Sequence, residues 1–185
     1  FDPVHQGHLD LARHVLRRCS LDEVWFIPAP QPPHKRQPVA SYEQRLHMLE
    51  AALAAEGEER LRCSRIEADL PRPSYTVRTV EALRGLEEHH DYFLIIGADS
   101  LVDLPHWYRA GDLLAAVNLI VVRREHLEPA AIAGLLADLD RSYRFDAHLG
   151  LWQNGQGRSL RYLDDIELPI SSSLIREQLA RGLVP

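Results

Sequence analysis

The sequence predicts a single α/β domain built on a doubly wound parallel sheet. Short apolar segments typical of buried strands alternate with longer segments of helical periodicity, and this alternation favours parallel strands joined by helices. The length of 185 residues, of which 45% are hydrophobic, fits one domain with a substantial core. Ligands of such folds bind at the carboxyl ends of the strands, so we expect functional residues in the strand-to-helix loops.

The first elements of the chain are a helix and a strand. Residues 8–18 place Leu, Ala and Val side chains on one face at helical spacing, with arginines at the end where the helix dipole favours them. The apolar run 24–27 predicts a short buried strand. Five of the twelve prolines lie in residues 28–38, which excludes a helix or a central strand and predicts a stiff surface loop.

Two helices and a strand follow the loop. Ser41 and Gln44 have the spacing of a capping box, which predicts a helix as far as about residue 55. A strand is expected over 61–67. Ser74 is expected to be the N-cap of the next helix, whose apolar face would consist of Val77, Val80 and Leu83.

The second half of the chain continues the alternation. Residues 92–96 give the strongest strand prediction, because a run of aromatic and branched side chains ends there at a glycine. Residues 118–122 predict another strand, and 129–139 predict a helix. After a polar, glycine-rich stretch, 160–168 is the last predicted strand, and 170–182 is a helix that three serines open.

Composition excludes several classes of function. The formal net charge of −6 argues against general affinity for nucleic acid or an anionic membrane, since both require an excess of basic residues. The longest apolar runs are five residues, far below the roughly 20 that a membrane span needs. Cys19 and Cys63 show no CxxC spacing, which is typical of reduced cysteines in a cytoplasmic protein.

The first candidate motif is FDPVHQGH, residues 1–8, directly before the first helix. His5 and His8 would stand at a helix N-terminus, where main-chain amides and the dipole favour an anion such as a polyphosphate. The two imidazoles could instead only cap the helix. They could also bind zinc, with Asp2 as a third ligand.

The second motif is PPHK, residues 32–35, in the proline-rich loop. Lys35 is the only lysine of the chain. A loop cation can bind a phosphate as a point charge, although a solvated surface lysine explains the residue equally well.

The third motif, GADS, follows the strongest strand. Asp99 could accept hydrogen bonds from a ribose or help to hold a metal, and Gly97 would let a base approach the backbone. Alternatively, Asp99 only caps the next helix.

The fourth motif, ISSSLIR, opens the last helix at 170–176. Ser172 and Arg176 are one turn apart on the same face. Hydroxyls, helix amides and a guanidinium together predict an anion site, whereas ordinary capping would use only one of the serines.

The fifth feature is the pair Trp107 and Tyr108 in a polar, proline-broken segment. These rings could stack on an aromatic ligand or could anchor the segment to the core.

In order and spacing, these motifs resemble those of the bacterial nicotinate-nucleotide adenylyltransferases, within the HxGH nucleotidyltransferase superfamily. The resemblance extends over nearly the whole chain, through residues 1–8, 32–35, 45–49, 73–76, 97–101 with Trp107, 121–124 and 170–176. It implies a Rossmann-like fold and transfer of AMP from ATP to nicotinate mononucleotide, giving deamido-NAD and pyrophosphate. Mg²⁺ would accompany ATP, and the phosphate of the mononucleotide would attack directly.

The resemblance also implies roles for individual residues. Catalysis would depend on His5, His8 and Arg176, with His8 stabilising the transition state. The residues implied in binding ATP are Phe1, His5, His8, Gly97, Asp99, Ser171, Ser172 and Arg176. Those implied in binding the mononucleotide are Lys35, Thr76, Val77, Trp107, Tyr108 and Arg123. In this assignment Trp107 stacks on the pyridine ring, and amides near Thr76 and Val77 and near Trp107 and Tyr108 receive the carboxylate.

The chain departs from the family pattern at both ends. The pattern begins with a strand and two glycines before Phe1 and continues past Pro185, so we expect this nucleotidyltransferase domain, residues 1–185, to lack its first strand and its C-terminal end. Three other functions remain open at this point. They are adenylyl transfer to nicotinamide mononucleotide, adenylyl transfer to phosphopantetheine, and nucleotide binding without catalysis.

Overall fold

The computed structural model describes residues 1–33, 39–86, 89–123, 127–166 and 172–181. The predictions made for Lys35 and Ser171 lie outside these residues. The chain forms two compact units, of which the first contains Phe1–Ser74 and Leu168–Pro185 and the second contains Tyr75–Glu167. Within the described ranges, no helix has the length and apolar character needed to cross a membrane.

The elements are numbered along the chain. The helices of the described residues are α1 (Gln6–Arg18), α2 (Tyr42–Glu56), α3 (Thr76–Leu86), α4 (Ala98–Asp103), α5 (Ala110–Ala116), α6 (Pro129–Leu139) and α7 (Ser172–Ala180). The strands are β1 (Val24–Phe26), β2 (Leu61–Cys63), β3 (Phe93–Gly97), β4 (Asn118–Val122), β5 (Arg144–Asp146), β6 (Leu151–Gln153) and β7 (Ser159–Leu163). Single turns of 3₁₀ helix lie at Ile66–Ala68 and Leu104–His106.

In the first unit, β1 and β2 form a parallel pair with Val24 opposite Leu61. The apolar face of α1 is buried as its spacing predicts, through Leu9, Ala12, Val15 and Leu16. The predicted capping box of α2 is confirmed. The Ser41 hydroxyl accepts from the Gln44 amide at 3.2 Å, and the Gln44 side chain accepts from the Ser41 amide at 2.8 Å.

The second unit contains a five-stranded sheet in the order β3-β4-β7-β6-β5. β3, β4 and β7 run parallel, whereas β6 is antiparallel to both of its neighbours. All five residues of β4 are buried, as expected for a strand covered on both faces. The predicted α/β class with a parallel core is therefore confirmed, and β5 and β6 add an antiparallel edge that the sequence did not predict.

The structure corrects three local predictions. The strand predicted over 61–67 ends at Cys63, and the strand predicted over 160–168 ends at Leu163. Ser74 is not an N-cap, because α3 begins at Thr76. The hydroxyl of Ser74 instead accepts from the amide of Gln31 at 3.4 Å, and its own amide donates to the Gln31 carbonyl at 2.9 Å.

Candidate active site

The start of α1 brings His5 and His8 together. His5 precedes the first helical residue in an extended conformation, with φ −149° and ψ 168°. The His8 amide donates to the His5 carbonyl at 2.9 Å. The two ring centroids lie 3.7 Å apart at an interplanar angle of 36°. The predicted pair thus forms one cluster at a helix N-terminus, where an anion is favoured.

Hydrogen bonding fixes which nitrogen of His8 carries a hydrogen. The main-chain N–H of His5 donates to Nδ1 of His8 at 3.2 Å. A neutral imidazole that accepts at Nδ1 carries its hydrogen on Nε2. The ring of Phe1 packs edge-on against His8, with centroids 4.9 Å apart. A neutral His8 is therefore an N–H donor at Nε2. Its Nδ1 accepts from the amide of the N-cap residue His5, so His8 can help to cap the helix and still donate to an anion.

The first turns of α7 contact the same segment. The Ser172 hydroxyl donates to the carbonyl of Pro3 at 2.9 Å, and Nη1 of Arg176 donates to the carbonyl of Asp2 at 2.5 Å. Nη2 of Arg176 donates to the Ser173 hydroxyl at 3.0 Å. The structure therefore brings Ser172 and Arg176 to residues 2–3, directly before His5 and His8.

Arg176 retains the capacity to bind an anion. A guanidinium carries five N–H donors, and the bonds to Asp2 and Ser173 use two of them. About a third of the side chain, 36%, is exposed. A planar guanidinium that two hydrogen bonds already hold in place is well suited to bind a phosphate, because the side chain loses little further conformational freedom on binding.

Asp2 is occupied by main-chain amides. Its two carboxylate oxygens accept from the amides of Val39 at 3.0 Å and Ala40 at 3.2 Å. These bonds anchor the Asp2 carboxylate to the main chain at Val39 and Ala40. Across the described residues, no group of three or more His, Cys, Asp and Glu side chains could hold a metal ion.

In the second unit, Gly97 and Arg123 lie at the carboxyl edge of the sheet, as predicted. Gly97, the last residue of β3, pairs with Val122 of β4. The next residue, Arg123, donates its amide to Leu163 at the end of β7, at 2.9 Å. Asp99 is exposed in the first turn of α4, whose N-cap is Gly97. The alternative prediction that Asp99 caps this helix is therefore wrong.

Tyr108 belongs to an aromatic cluster that sequence reasoning missed. Its ring stacks on Tyr75, with centroids 4.4 Å apart and an interplanar angle of 29°. The guanidinium carbon of Arg78 lies 5.2 Å from the centroid of Tyr75 and 5.6 Å from that of Tyr108. The spacing of Tyr75 and Arg78 at i and i+3 could have signalled their contact, but the partnership with Tyr108 depends on the tertiary fold.

The ring of Trp107 is held by both packing and a hydrogen bond. It is partly buried against the core of the second unit, and its indole N–H donates to the carboxylate of Asp103 at 3.2 Å. The fixed ring is consistent with either predicted role, the core anchor or the stacking platform.

Only some of the main-chain amides that were expected to receive the nicotinate carboxylate are available as donors. The amide of Trp107 already donates to the carbonyl of Leu104 at 3.0 Å. Among the described residues, the amides of Thr76, Val77 and Tyr108 have no acceptor. Thr76 and Val77 open α3, where the first helical amides always lack an intrahelical partner. Of the pair Trp107 and Tyr108, Tyr108 is therefore the residue whose amide has no acceptor among the described residues.

Comparison with known proteins assigns the chain to a protein family. A family described as "Cytidylyltransferase-like" matches residues 1–178, so the chain belongs to this family. A curated relative from Gloeobacter violaceus is 37% identical over 98% of this chain and 81% of its own length. A relative from Carboxydothermus hydrogenoformans is 36% identical over 99% and 84%. Both carry the name "Probable nicotinate-nucleotide adenylyltransferase", and this chain belongs to that enzyme family.

A solved structure supports the fold independently. The nicotinic acid mononucleotide adenylyltransferase of Plasmodium falciparum, complexed with NaAD, aligns with a TM-score of 0.70 over 100% of this chain and 82% of its own. Its sequence identity is only 14%, so the likeness concerns the Rossmann-like fold.

Proposed function

We propose that this protein transfers the adenylyl group of ATP to nicotinate mononucleotide, giving deamido-NAD and pyrophosphate. Membership of the enzyme family supports the reaction. The observation that carries the proposal is the cluster at the start of α1, where an Nε2–H donor, a guanidinium and a helix N-terminus lie in one unit.

The chemistry requires positioning and charge stabilisation. A phosphate oxygen of the mononucleotide attacks the α-phosphorus of ATP, and the bond from that phosphorus to the oxygen shared with the β-phosphate breaks. Pyrophosphate leaves with the bonding electron pair. His8 would donate from Nε2 to the oxygens that gain charge, with His5 beside it, and Arg176 would neutralise the phosphates. No covalent intermediate is needed, because the two substrates react directly once they are held in line.

The remaining ATP contacts come from helix starts and one strand end. Ser172, Ser171 and Phe1 are proposed to line the phosphate side. Gly97 and Asp99 are proposed to contact the adenosine. Mg²⁺ would enter with ATP as part of the substrate and supply charge neutralisation along the triphosphate.

The contacts with the mononucleotide would determine whether nicotinate or nicotinamide mononucleotide is the preferred acceptor. Lys35 and Arg123 are proposed to approach the phosphate and Trp107 to stack on the pyridine ring. The carboxylate would accept from the amides of Thr76 and Val77 and of Tyr108. Amide donors match a carboxylate, whereas the NH₂ group of a carboxamide would face them with no acceptor to offer.

We also propose that the reaction takes place in the cytoplasm. Cys19 and Cys63 are thiols and not a disulfide, as expected in a reducing compartment.

The test supplies ATP and Mg²⁺ with nicotinate mononucleotide, nicotinamide mononucleotide or phosphopantetheine, and follows pyrophosphate and the adenylylated product. We expect the highest kcat/KM for the nicotinate substrate. Equal or better turnover of either other acceptor would reject the nicotinate assignment. If ATP binds but no acceptor is adenylylated, the protein is a nucleotide-binding module instead.

A further inference from the structure

Arg78 is a partly buried cation of α3 that has no carboxylate partner among the described residues. Glu81, three residues further along the helix, has the spacing of an ion-pair partner. Its carboxylate is instead bonded to Nη2 of Arg109 at 2.9 Å. The positive charge of Arg78 is therefore not neutralised by the acid beside it on the helix.

Two aromatic rings fix the position of the Arg78 guanidinium. Its central carbon lies 5.2 Å from the ring centroid of Tyr75 and 5.6 Å from that of Tyr108, within the range of a cation–π attraction. The side chain leans back toward the start of α3, as long helical side chains do. Because the guanidinium has no polar acceptor within the described ranges, its N–H donors are available to a ligand.

The same two rings belong to the segments that supply the unbonded main-chain amides. Tyr75 directly precedes Thr76 and Val77, and Tyr108 carries the third of these amides itself. The charge of Arg78 and the three neutral donors therefore lie in one part of the second unit.

A cation adds a kind of discrimination that neutral amides lack. The carbonyl oxygen of a carboxamide can still accept from one main-chain amide, so amide donors reject a carboxamide only in part. A guanidinium also attracts the net negative charge of a carboxylate, which a carboxamide does not have. Charge and amide donors together would separate the two acceptors more strongly than amide donors alone.

We propose that Arg78 is a specificity-determining residue, whose positive charge selects an acceptor with a carboxylate on its ring over one with a carboxamide. The inference rests on the proposed function, in which the unbonded amides receive that carboxylate. The two mononucleotides share their ribose and phosphate and differ here by one negative charge. Arg78 should therefore change the ratio of their affinities. A merely structural role, in which Arg78 only holds the two rings together, would change both affinities alike.

The first test compares variants that separate charge from packing. Arg78→Met keeps a long side chain that packs on aromatic rings and removes the charge, whereas Arg78→Lys keeps the charge. Arg84→Met, at an exposed arginine of the same helix, is the matched control. The KM is measured for each mononucleotide, or the inhibition constant where a mononucleotide is not turned over.

In Arg78→Met, the KM for nicotinate mononucleotide should rise about tenfold, the scale of one charge-assisted hydrogen bond. The value for nicotinamide mononucleotide and the KM for ATP should stay within about twofold. Arg78→Lys should keep most of the preference for nicotinate, and Arg84→Met should match the wild type.

The second test varies the salt concentration, because salt screens a charge interaction and has little effect on ring packing. Between about 0.05 M and about 0.5 M salt, the preference of the wild type for nicotinate over nicotinamide mononucleotide should fall at least about twofold. In Arg78→Met the preference should not depend on salt.

The proposal is wrong if Arg78→Met keeps the wild-type preference, if both mononucleotides weaken equally, or if Arg78→Lys loses the preference as fully as Arg78→Met. If Arg78→Met does not fold, a wild-type preference that is independent of salt would overturn it. If the wild type adenylylates neither mononucleotide, the proposed function fails. Calorimetric Kd values for the two mononucleotides then decide on Arg78 alone, and a nicotinate preference that Arg78→Met abolishes is the supporting result.

Discussion

Two regions of the molecule use their polar groups in opposite ways. The HxGH region of the first unit consists of residues 1–8 and the start of α7, and the aromatic region of the second unit consists of Tyr75, Arg78 and Tyr108. At the start of α1, side chains bind the main chain: Ser172 and Arg176 donate to carbonyls, and Asp2 accepts amides. Around α3, side chains bind one another through the stack of Tyr75 and Tyr108, and main-chain amides are left for a ligand. In the proposed function, the first arrangement would supply positive charge for the phosphates of ATP. The second would supply directional donors that discriminate between acceptors.

The comparison predicts the largest loss for the donor at the start of α1. His8→Ala should lower kcat by about 100-fold or more, because a preorganised donor to the transition state is removed. The matched control is His47→Ala, an exposed histidine of α2, which should keep wild-type kcat. Steady-state kinetics and circular dichroism measure the effect. A near-normal rate with intact fold would contradict the role assigned to His8.

The next largest effect is expected at the second cation of the same region. Arg176→Lys keeps the charge and removes the planar fork, so kcat should fall about 30-fold while thermal stability changes little. Arg181→Lys, at an exposed residue paired with Glu177, provides the control. If the lysine variant keeps full activity, charge alone is sufficient and the fork has no role.

A smaller and more selective effect is expected in the aromatic region. Tyr75→Ala removes the stacking partner of Tyr108, so the KM for nicotinate mononucleotide should rise about three- to tenfold, the range expected for loss of one aromatic pair. The KM for ATP should not change. Tyr75→Phe keeps the ring and should behave as the wild type. A parallel rise in both KM values would remove the distinction between the two regions.

The smallest effect is expected away from both regions, on stability alone. Asp140 accepts from the Ser142 amide and the Asn154 side chain, and the bond from the Ser142 amide contributes most to lowering its pKa. A folded pKa below the unfolded value stabilises the protein above the unfolded pKa, and this stabilisation is lost as the pH falls through the folded pKa. Asp140→Ala should therefore lower the unfolding free energy by about 1 kcal/mol at pH 7 and by less at pH 3.

Urea unfolding at the two pH values measures this prediction, and Asp138→Ala, an exposed change on α6, is the control. Kinetic constants should not change in either variant. Equal destabilisation by Asp140→Ala at both pH values would show that the carboxylate charge is not involved.

The sequence predicted correctly the elements whose formation depends on residues close together in the chain. The capping box of Ser41 and Gln44, the buried strand 118–122 and the helix 129–139 are all where the sequence indicated. β5 and β6 are strands of three residues whose pairing comes from their neighbours, so no periodicity can show in them. The strands predicted over 61–67 and 160–168 end early, at Cys63 and Leu163, because pairing with neighbouring strands determines where a strand ends.

The residues of the candidate site also fall into those that a short motif predicts and those that only the fold brings together. The residues that could be predicted, such as His5, His8 and Gly97, sit in motifs whose chemistry is readable over a few positions. The anchoring role of Asp2 and the stack of Tyr75 on Tyr108 join residues far apart in the chain, and only the fold brings them together.

The contacts of Ser172 and Arg176 with Pro3 and Asp2 span 169 and 174 positions of sequence. During synthesis Asp2 emerges from the ribosome long before Arg176, so the start of α1 waits for its partner until the residues between them have been translated. The second unit is one continuous stretch and can close as soon as it emerges. A nascent chain should therefore acquire the aromatic cluster before it acquires Arg176, and a ribosome stalled before α7 would display an enzyme that lacks its second cation.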